Sequence, residues 1–317
     1  MTRTDDRPSR SGAVFIAGDW GTSNLRLALC GQDGKALDIR KGPGAAESRG
    51  RFADEFDALT ADWRREHGPL PAVMCGMVGS AFGWREAPYL PCPEDLDALA
   101  GATIEARDGV RVVAGMRCTN PLGAPDVMRG EETQLLGARC LRPALGEGRQ
   151  LVCLPGTHTK WVSLHNGVVQ EFLTAPTGEI FALLCDHGVL VRERATALEH
   201  RPAEFELGLT EAARHPEVPL LHRIFQARSL RLDKQLPAEG AASWMSGLLI
   251  GTDVGGALPL FSDLGGDIPV HLVGGHELVD RYANALARHG REIVRIDGEA
   301  ASLAGLARIF HELGPSG

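Results

Sequence analysis

Two alternating apolar runs separated by a short polar stretch open the patterned part of the chain. In "FIAGDWGTSNLRLALC", residues 15–30, they predict a strand over 14–18, a turn, and a strand over 25–30. A Gly-containing turn at 32–34 and a strand over 36–40 complete a meander. Phe52, Phe56, Leu59 and Trp63 recur at helical spacing in "RFADEFDALTADWRREHG", and Gly68 with Pro69 stops that helix. "PAVMCGMVGS" reads as a strand running into a loop, and "GVRVVAG", residues 109–115, as another strand. Turn formers cluster over 118–126, which makes that segment the expected junction of two domains. Beyond it the pattern predicts a helix from about 127 to 141, then a second strand, turn and strand in "QLVCLPGTHTKWVSL" and a further strand over 168–173. A helix opens at Thr177, and residues 190–250 read as mostly helical. "PVHLVGGHELVDRYANALARHG" is a strand, a Gly-Gly turn and an amphipathic helix with Leu278, Val279, Tyr282, Ala283, Leu286 and Ala287 on one face.

The two halves echo each other. "AGDWGTSNLRLAL" and "LPGTHTKWVSL" each run an apolar strand into a Gly-Thr step, two short polar or imidazole residues, and a basic residue entering a second apolar strand. Hairpin tips rich in Gly, Ser and Thr can aim several N–H groups and hydroxyls at one point, forming an anion-binding concavity. Arg26 and Lys160 would add charge-assisted hydrogen bonds. Each tip alone is also an ordinary turn composition. Their pairing, with Asp19 just before the first glycine, points to two opposed phosphate clamps. Neither is a Walker A loop, because "GTHTK" lacks the Gly-x4-Gly-Lys-Ser/Thr spacing.

Composition narrows the class. A length of 317 residues favours two domains over one. A net charge of −8, from 33 basic and 41 acidic residues, leaves no basic footprint for nucleic acid or an anionic membrane. The seven cysteines show neither a CxxC pair nor zinc-ligand spacing, and read as reduced core thiols. The polar opening "MTRTDDRPSRSG" lacks the apolar core of a signal peptide, and no run of about 18 apolar residues suggests a membrane span. A cytoplasmic protein with a disordered tail over 1–12 is expected.

In order along the chain, "DWGTSNLRL", "CGMVGS", "DVMRGEETQLLGA", "LPGTHTKWV", "TGEIF" and "SGLLIG" resemble the 2-keto-3-deoxygalactonokinase family, within the superfamily of actin-, hexokinase- and Hsp70-like ATPases. The resemblance runs from about residue 14 to 310. It implies an α/β, two-domain actin-like ATPase (ribonuclease H-like) fold with the active site in the interdomain cleft. Residues 13–120 would hold the first hairpin and the sugar-acid contacts, and 121–317 the second hairpin and the adenosine site. The implied reaction is ATP-dependent phosphorylation of the terminal hydroxyl of 2-dehydro-3-deoxy-D-galactonate.

The same resemblance gives Asp19 the task of holding Mg²⁺, largely through water. It places Gly21, Thr22, Ser23 and Asn24 in the first phosphate loop and Gly156, Thr157, His158 and Lys160 in the second. Adenosine would lie on Gly274 and Gly275, although a tight strand-to-helix connection would look the same. For the base, a carboxylate at a helix start before the second hairpin is wanted, and Glu131 comes first with Asp126 close behind. The bland reading of that cluster is a solvated helix face with an Arg129–Glu132 pair. Gly130 argues otherwise, since a glycine there costs about 1 kcal/mol relative to Ala. Arg129 is a candidate for the substrate carboxylate, and Gly76, Met77 and Ser80 for further sugar-acid contacts.

Two rivals share the hairpins: an ATPase that drives partner binding, and a catalytically silent sugar-acid sensor. The compact chain and the "RGEETQ" carboxylates favour the kinase. Substrate-dependent ATP turnover separates the three. The residues leave open whether the galactonate or the gluconate epimer is preferred, and what the oligomeric state is.

Overall fold

The computed structural model describes residues 12–191, 199–265 and 268–314. The expected tail lies almost wholly outside these residues, as does part of the stretch read as helical between 190 and 250.

Alternation over the first patterned stretch yields an antiparallel meander of Ala13–Trp20, Asn24–Gly31 and Ala36–Pro43. Ala13–Trp20 also pairs in parallel with Ala72–Gly76, and that strand in parallel with Val110–Val113. A parallel partner requires a crossover, supplied by the helix Phe52–His67. It buries Phe52, Phe56 and Trp63 against the sheet and ends at Gly68. Thr103–Arg107 closes the far edge antiparallel.

The second sheet repeats this plan. Arg149–Leu154, Thr159–His165 and Val168–Ala175 form an antiparallel meander, and Arg149–Leu154 pairs in parallel with Val270–Gly274, which pairs in parallel with Ile293–Asp297. The echo between two hairpins in the sequence is thus an echo between whole sheets. A short strand from the first half, Glu94–Asp95, is added at the edge of the second sheet beside Val168 and Val169.

Two helices, Glu131–Leu141 and Gly298–Leu313, pack together between the sheets. Their apolar faces join Phe15 and Val73 of the first sheet with Val162 and Phe172 of the second in one core. The crossing is backbone on backbone. A Cβ on Gly137 would fall 1.8 Å from the Ala301 carbonyl oxygen, and one on Gly305 2.1 Å from that of Thr133. Gly305→Ala must therefore push the helices apart, and we expect it to cost about 3 kcal/mol. Thermal unfolding of the variant checks this.

Three details differ from the sequence reading. The 118–126 segment lies within a β-ribbon, because Gly115–Thr119 pairs antiparallel with Pro125–Met128. The turn formers make its tip, where the Asn120 carboxamide oxygen accepts from the backbone N–H groups of Leu122 and Ala124. The next helix starts at Glu131 instead of 127, since Gly130 sits at φ +109, outside helical space. On the helix His276–Ala287, Ala285 is buried while Ala287 is exposed.

Candidate active site

Both hairpin tips are braced from behind, and each brace requires a glycine. At the first tip, Gly21 N–H donates to the Asn24 carbonyl at 2.9 Å. The backbone N–H groups of Ala45 and Ala46 donate to the Gly21 and Thr22 carbonyls, at 2.9 and 3.1 Å. Such proximity needs Gly44, where a Cβ would lie 2.2 Å from the Thr22 oxygen. At the second tip, Glu179 N–H donates to the Thr157 carbonyl at 2.9 Å, and a Cβ on Gly178 would lie 2.4 Å from the Gly156 oxygen. Thr22, Ser23, Asn24, Thr157 and His158 are left exposed on rigid supports.

The tips face one another. A cavity of 260 Å³ is lined by Asp19, Gly21 and Thr22 from the first hairpin and by Gly156, Thr157 and His158 from the second. Gly76, Met77, Arg129, Gly130, Glu131 and Gln134 form its other walls, with Leu154 and Pro155 leading into the second tip. A neighbouring cavity of 520 Å³ reaches Ser23, Asn24, Arg26, Lys41 and Glu299.

Asp19 ends the first strand. Its carboxylate accepts from the Ser302 hydroxyl at 2.8 Å, and Gln134 Nε2 donates in turn to Ser302 Oγ at 3.2 Å. Burial raises its pKa, an effect opposed by the Ser302 hydrogen bond and by Arg26. Arg26 in turn forms an ion pair with Glu299. Beside Asp19 two glycines meet. Gly76, at φ +89, passes close to the Trp20 carbonyl, and a Cβ on Gly130 would lie 3.3 Å from Gly76 Cα. The floor between Asp19 and the helix start is therefore backbone at these two positions.

Glu131 opens its helix with one oxygen accepting the Arg129 N–H at 3.0 Å. Burial raises its pKa, moderated by the charge of Lys160. Glu132 is fully buried behind it. Both its oxygens accept the Gly130 N–H, at 2.9 and 2.7 Å, and one accepts the Thr133 hydroxyl at 3.1 Å. Burial and the charge of Glu131 push Glu132 up to about 8. The folded chain then keeps a proton that the unfolded chain releases above about pH 4.5, so stability falls as pH rises from there toward 8. Glu132→Gln keeps an acceptor for Gly130 and cannot ionise. We expect it to flatten the decline of Tm between pH 5 and pH 8, measured by thermal unfolding across that range.

Asp126 is placed differently. It sits on the ribbon strand, not on the helix, and its carboxylate accepts from Thr174 N–H at 2.8 Å and from the Thr174 hydroxyl at 2.6 Å. Lys160 is buried and points away from the tip, donating to the Val127 carbonyl and to Thr174 Oγ1, both at 2.7 Å. Together they rivet the ribbon to the second sheet, and neither lines the two cavities.

The remaining sequence candidates divide. Arg129 lines the 260 Å³ cavity, but its guanidinium stacks on Tyr89, with Nε donating to the Tyr89 hydroxyl at 3.3 Å and Nη2 to the Ala87 carbonyl at 2.7 Å. Its Nη1 has no partner. Ser80 lines neither cavity. Gly274 lies behind the second tip, where a Cβ would be 3.4 Å from the Pro155 oxygen, and Gly275 precedes the helix His276–Ala287. A 50 Å³ slot opens instead beside Gly156, walled by Thr177, Phe181, Leu249, Leu278 and Tyr282.

Sequence reasoning missed Ser302 and Glu299, which meet the site only through tertiary packing, and Gln134, which lines the 260 Å³ cavity one helical turn after Glu131. A partial signal existed for the helix bearing Ser302. "DGEAAS" reads as an N-cap, and the Asp297 side chain accepts from Ala300 N–H at 2.8 Å. Among the described residues, no group of three or more His, Cys, Asp or Glu side chains forms a metal cage, no helix is long and apolar enough to cross a membrane, and none of the seven cysteines is in a disulfide.

Two sheets of one plan, each presenting a braced phosphate-type hairpin to a shared cleft with a carboxylate at its floor, define the actin-like ATPase and sugar-kinase fold. The activator of 2-hydroxyisocaproyl-CoA dehydratase from Clostridium difficile, solved with bound ADPNP, shares that fold with a TM-score of 0.53 at 13% identity, over 95% of this chain and 96% of its own. The family model for 2-keto-3-deoxy-galactonokinase matches residues 19–309, and the chain belongs to that family. It is 34% identical over 301 residues to the 2-dehydro-3-deoxygalactonokinase of Escherichia coli (strain K12), covering 94% of this chain and 98% of the relative. A crystal structure from Sinorhizobium meliloti carried under the same enzyme name matches with a TM-score of 0.83 at 35% identity, over 95% of this chain and 99% of the other.

Proposed function

We propose that the cleft transfers the γ-phosphoryl group of ATP to the 6-hydroxyl of 2-dehydro-3-deoxy-D-galactonate, a step of galactonate catabolism, with Glu131 as the base. The observation that carries the assignment of roles is that Glu131 and Asp19 line one cavity together with both hairpin tips. Membership of the family makes the chain a sugar-acid kinase and sets aside the partner-driving ATPase and the silent sensor.

Phosphoryl transfer demands positioning and charge stabilisation more than covalent help. The N–H groups and hydroxyls of 21–24 and 156–158 cradle the phosphates from two sides. The donors near Asp19 are hard oxygens: a carboxylate lining the cleft, with Thr22, Ser23, Thr157 and Glu299 on the same wall. That set suits Mg²⁺, which keeps most of its water and takes one or two protein carboxylates plus phosphate oxygens. We assign it to Asp19; when bound, Mg²⁺ would neutralise phosphate charge.

Glu131, raised by burial yet facing the cavity, accepts the proton of the attacking hydroxyl. The place of Asp126 in the ribbon, bonded to Thr174 and outside both cavities, favours Glu131 over it. Gly76, Gly130 and Met77 let substrate approach the backbone, and Arg129, which lines the cavity, is the cation for its carboxylate once the guanidinium turns from Tyr89 and from the buried seat of Nη1 beside Gly79. The apolar slot beside Gly156 receives the nucleoside, with Gly274 supporting the hairpin from behind. The two sheets with their flanking helices form the two domains that bound the cleft. Cysteines without disulfides and a small soluble substrate support a cytoplasmic enzyme.

Phosphorus NMR of the product tests the reading. A phosphomonoester on the terminal carbon is expected, and a phosphate elsewhere on the sugar acid, or free phosphate only, would contradict it.

A further inference from the structure

The kinase reading uses the slot and the hairpin but leaves unexplained a part-buried carboxylate between them, all of whose direct partners are buried. Asp253 lies in the long helix Ala241–Leu260. One of its oxygens accepts from Trp161 Nε1 at 2.9 Å. The other accepts from the Thr177 hydroxyl at 2.8 Å and from the Tyr282 hydroxyl at 2.5 Å. The Tyr282 oxygen is also 2.7 Å from Thr159 Oγ1, so with its own proton on Asp253 it accepts from Thr159. All three direct donors to Asp253 are neutral. Trp161, Thr159, Thr177 and Tyr282 are themselves buried, so the cluster is shielded from solvent.

Each partner leads somewhere different. Thr159 and Trp161 begin the strand that leaves the second tip. Thr177 starts the helix whose Gly178 and Glu179 brace that tip from behind. Thr177 and Tyr282 also wall the slot. One carboxylate therefore joins the tip, its brace and the slot. A core role alone would be served by an apolar residue, because a carboxylate that exchanges most of its water for neutral donors is costly to desolvate even where part of the residue stays exposed.

We infer that Asp253 is a positioning residue for the nucleotide, holding the second phosphate hairpin in register with the slot so that nucleoside and phosphates are bound as a unit. The inference rests on the kinase reading of that slot and hairpin. Asp253 touches no phosphate itself; it acts through Thr159, Thr177 and Tyr282.

Asp253→Asn keeps the size but turns an N–H₂ group toward at least one of the three donors. Tyr282→Phe keeps the ring in the slot and deletes the bridge to Thr159. Calorimetric titration with ADP, and steady-state KM for ATP and for the sugar acid, should be measured on both. We expect the ADP Kd and the ATP KM to rise at least about tenfold for Asp253→Asn and about threefold to tenfold for Tyr282→Phe. The sugar-acid KM should stay within about twofold of the parent. ADP binding within twofold of the parent in both variants overturns the inference. So does an equal loss of affinity for ADP and sugar acid, which marks a merely structural role. If Asp253→Asn does not fold, Tyr282→Phe alone decides by the same criteria. Failure of the parent itself to bind ADP would remove the kinase reading and with it the ground for this one.

Discussion

Asp19→Asn loses about three orders of magnitude in turnover and folds at least as well as the parent. On the proposed roles, the loss follows from removing the carboxylate that ends the first strand between the two tips, where charge on the transferring phosphoryl group must be balanced. The stability follows from geometry and sign. Asn retains an oxygen for the Ser302 hydroxyl, which reaches Asp19 at 2.8 Å. Burial raises the folded pKa of Asp19 above the ordinary 3.8, so the ionised group destabilises the folded chain as pH rises beyond that value. Asn has no charge to bury, and the variant's advantage in Tm grows from acid to neutral pH. Saturating turnover and thermal unfolding measure the two halves separately. Activity within tenfold of the parent would remove Asp19 from the mechanism.

The second large effect separates two neighbouring carboxylates. Glu131→Gln is expected to lower kcat by about 10²- to 10⁴-fold, the range of a lost general base, with the KM for ATP nearly unchanged. Asp126→Asn should leave kcat within a few-fold and instead cost about 1–3 kcal/mol of stability, because one of the two acceptors for Thr174 becomes a donor. The pH profile adds a signature. Glu131 must be ionised to act, and burial holds its pKa above the usual 4.5, so kcat/KM falls as pH drops through that raised value. In Glu131→Gln the acid limb disappears from the residual rate. A large kcat loss in Asp126→Asn with a mild one in Glu131→Gln would reverse the assignment.

The hairpins were legible because each couples strong alternation to a compact polar tip, and both signals are local. Glu131 was legible for a similar reason. A glycine just ahead of a helix with a polar front marks a close backbone approach beside the helix start, here Gly130 against Gly76. Asp126 was misplaced because a four-residue ribbon strand has too little alternation to be told from the first turn of a helix. Lys160 was assigned to phosphate because a basic residue after a hairpin tip normally points to solvent. The strand Thr159–His165 is covered on both faces, so alternation says nothing about which way Lys160 turns. Gly274 and Gly275, singled out by the strand-to-helix pattern, sit behind the second tip and before a helix, while the slot beside Gly156 is assembled from three helices and the second hairpin, which no local pattern announces. Ser302 reaches Asp19 from 283 positions away, and Asp253 reaches Trp161 across 92. Contacts of that span are set by how the two sheets enclose their helices, and no window of sequence contains them.

The most direct measurement of the central claim is ADP release in the presence of Mg²⁺ and ATP, with 2-dehydro-3-deoxygalactonate, its gluconate epimer, simple hexoses, or no acceptor. Release that depends strictly on a keto-deoxy acid, fastest with the galactonate epimer, is the predicted result. Equal release without acceptor, or no release with either acid, would contradict it.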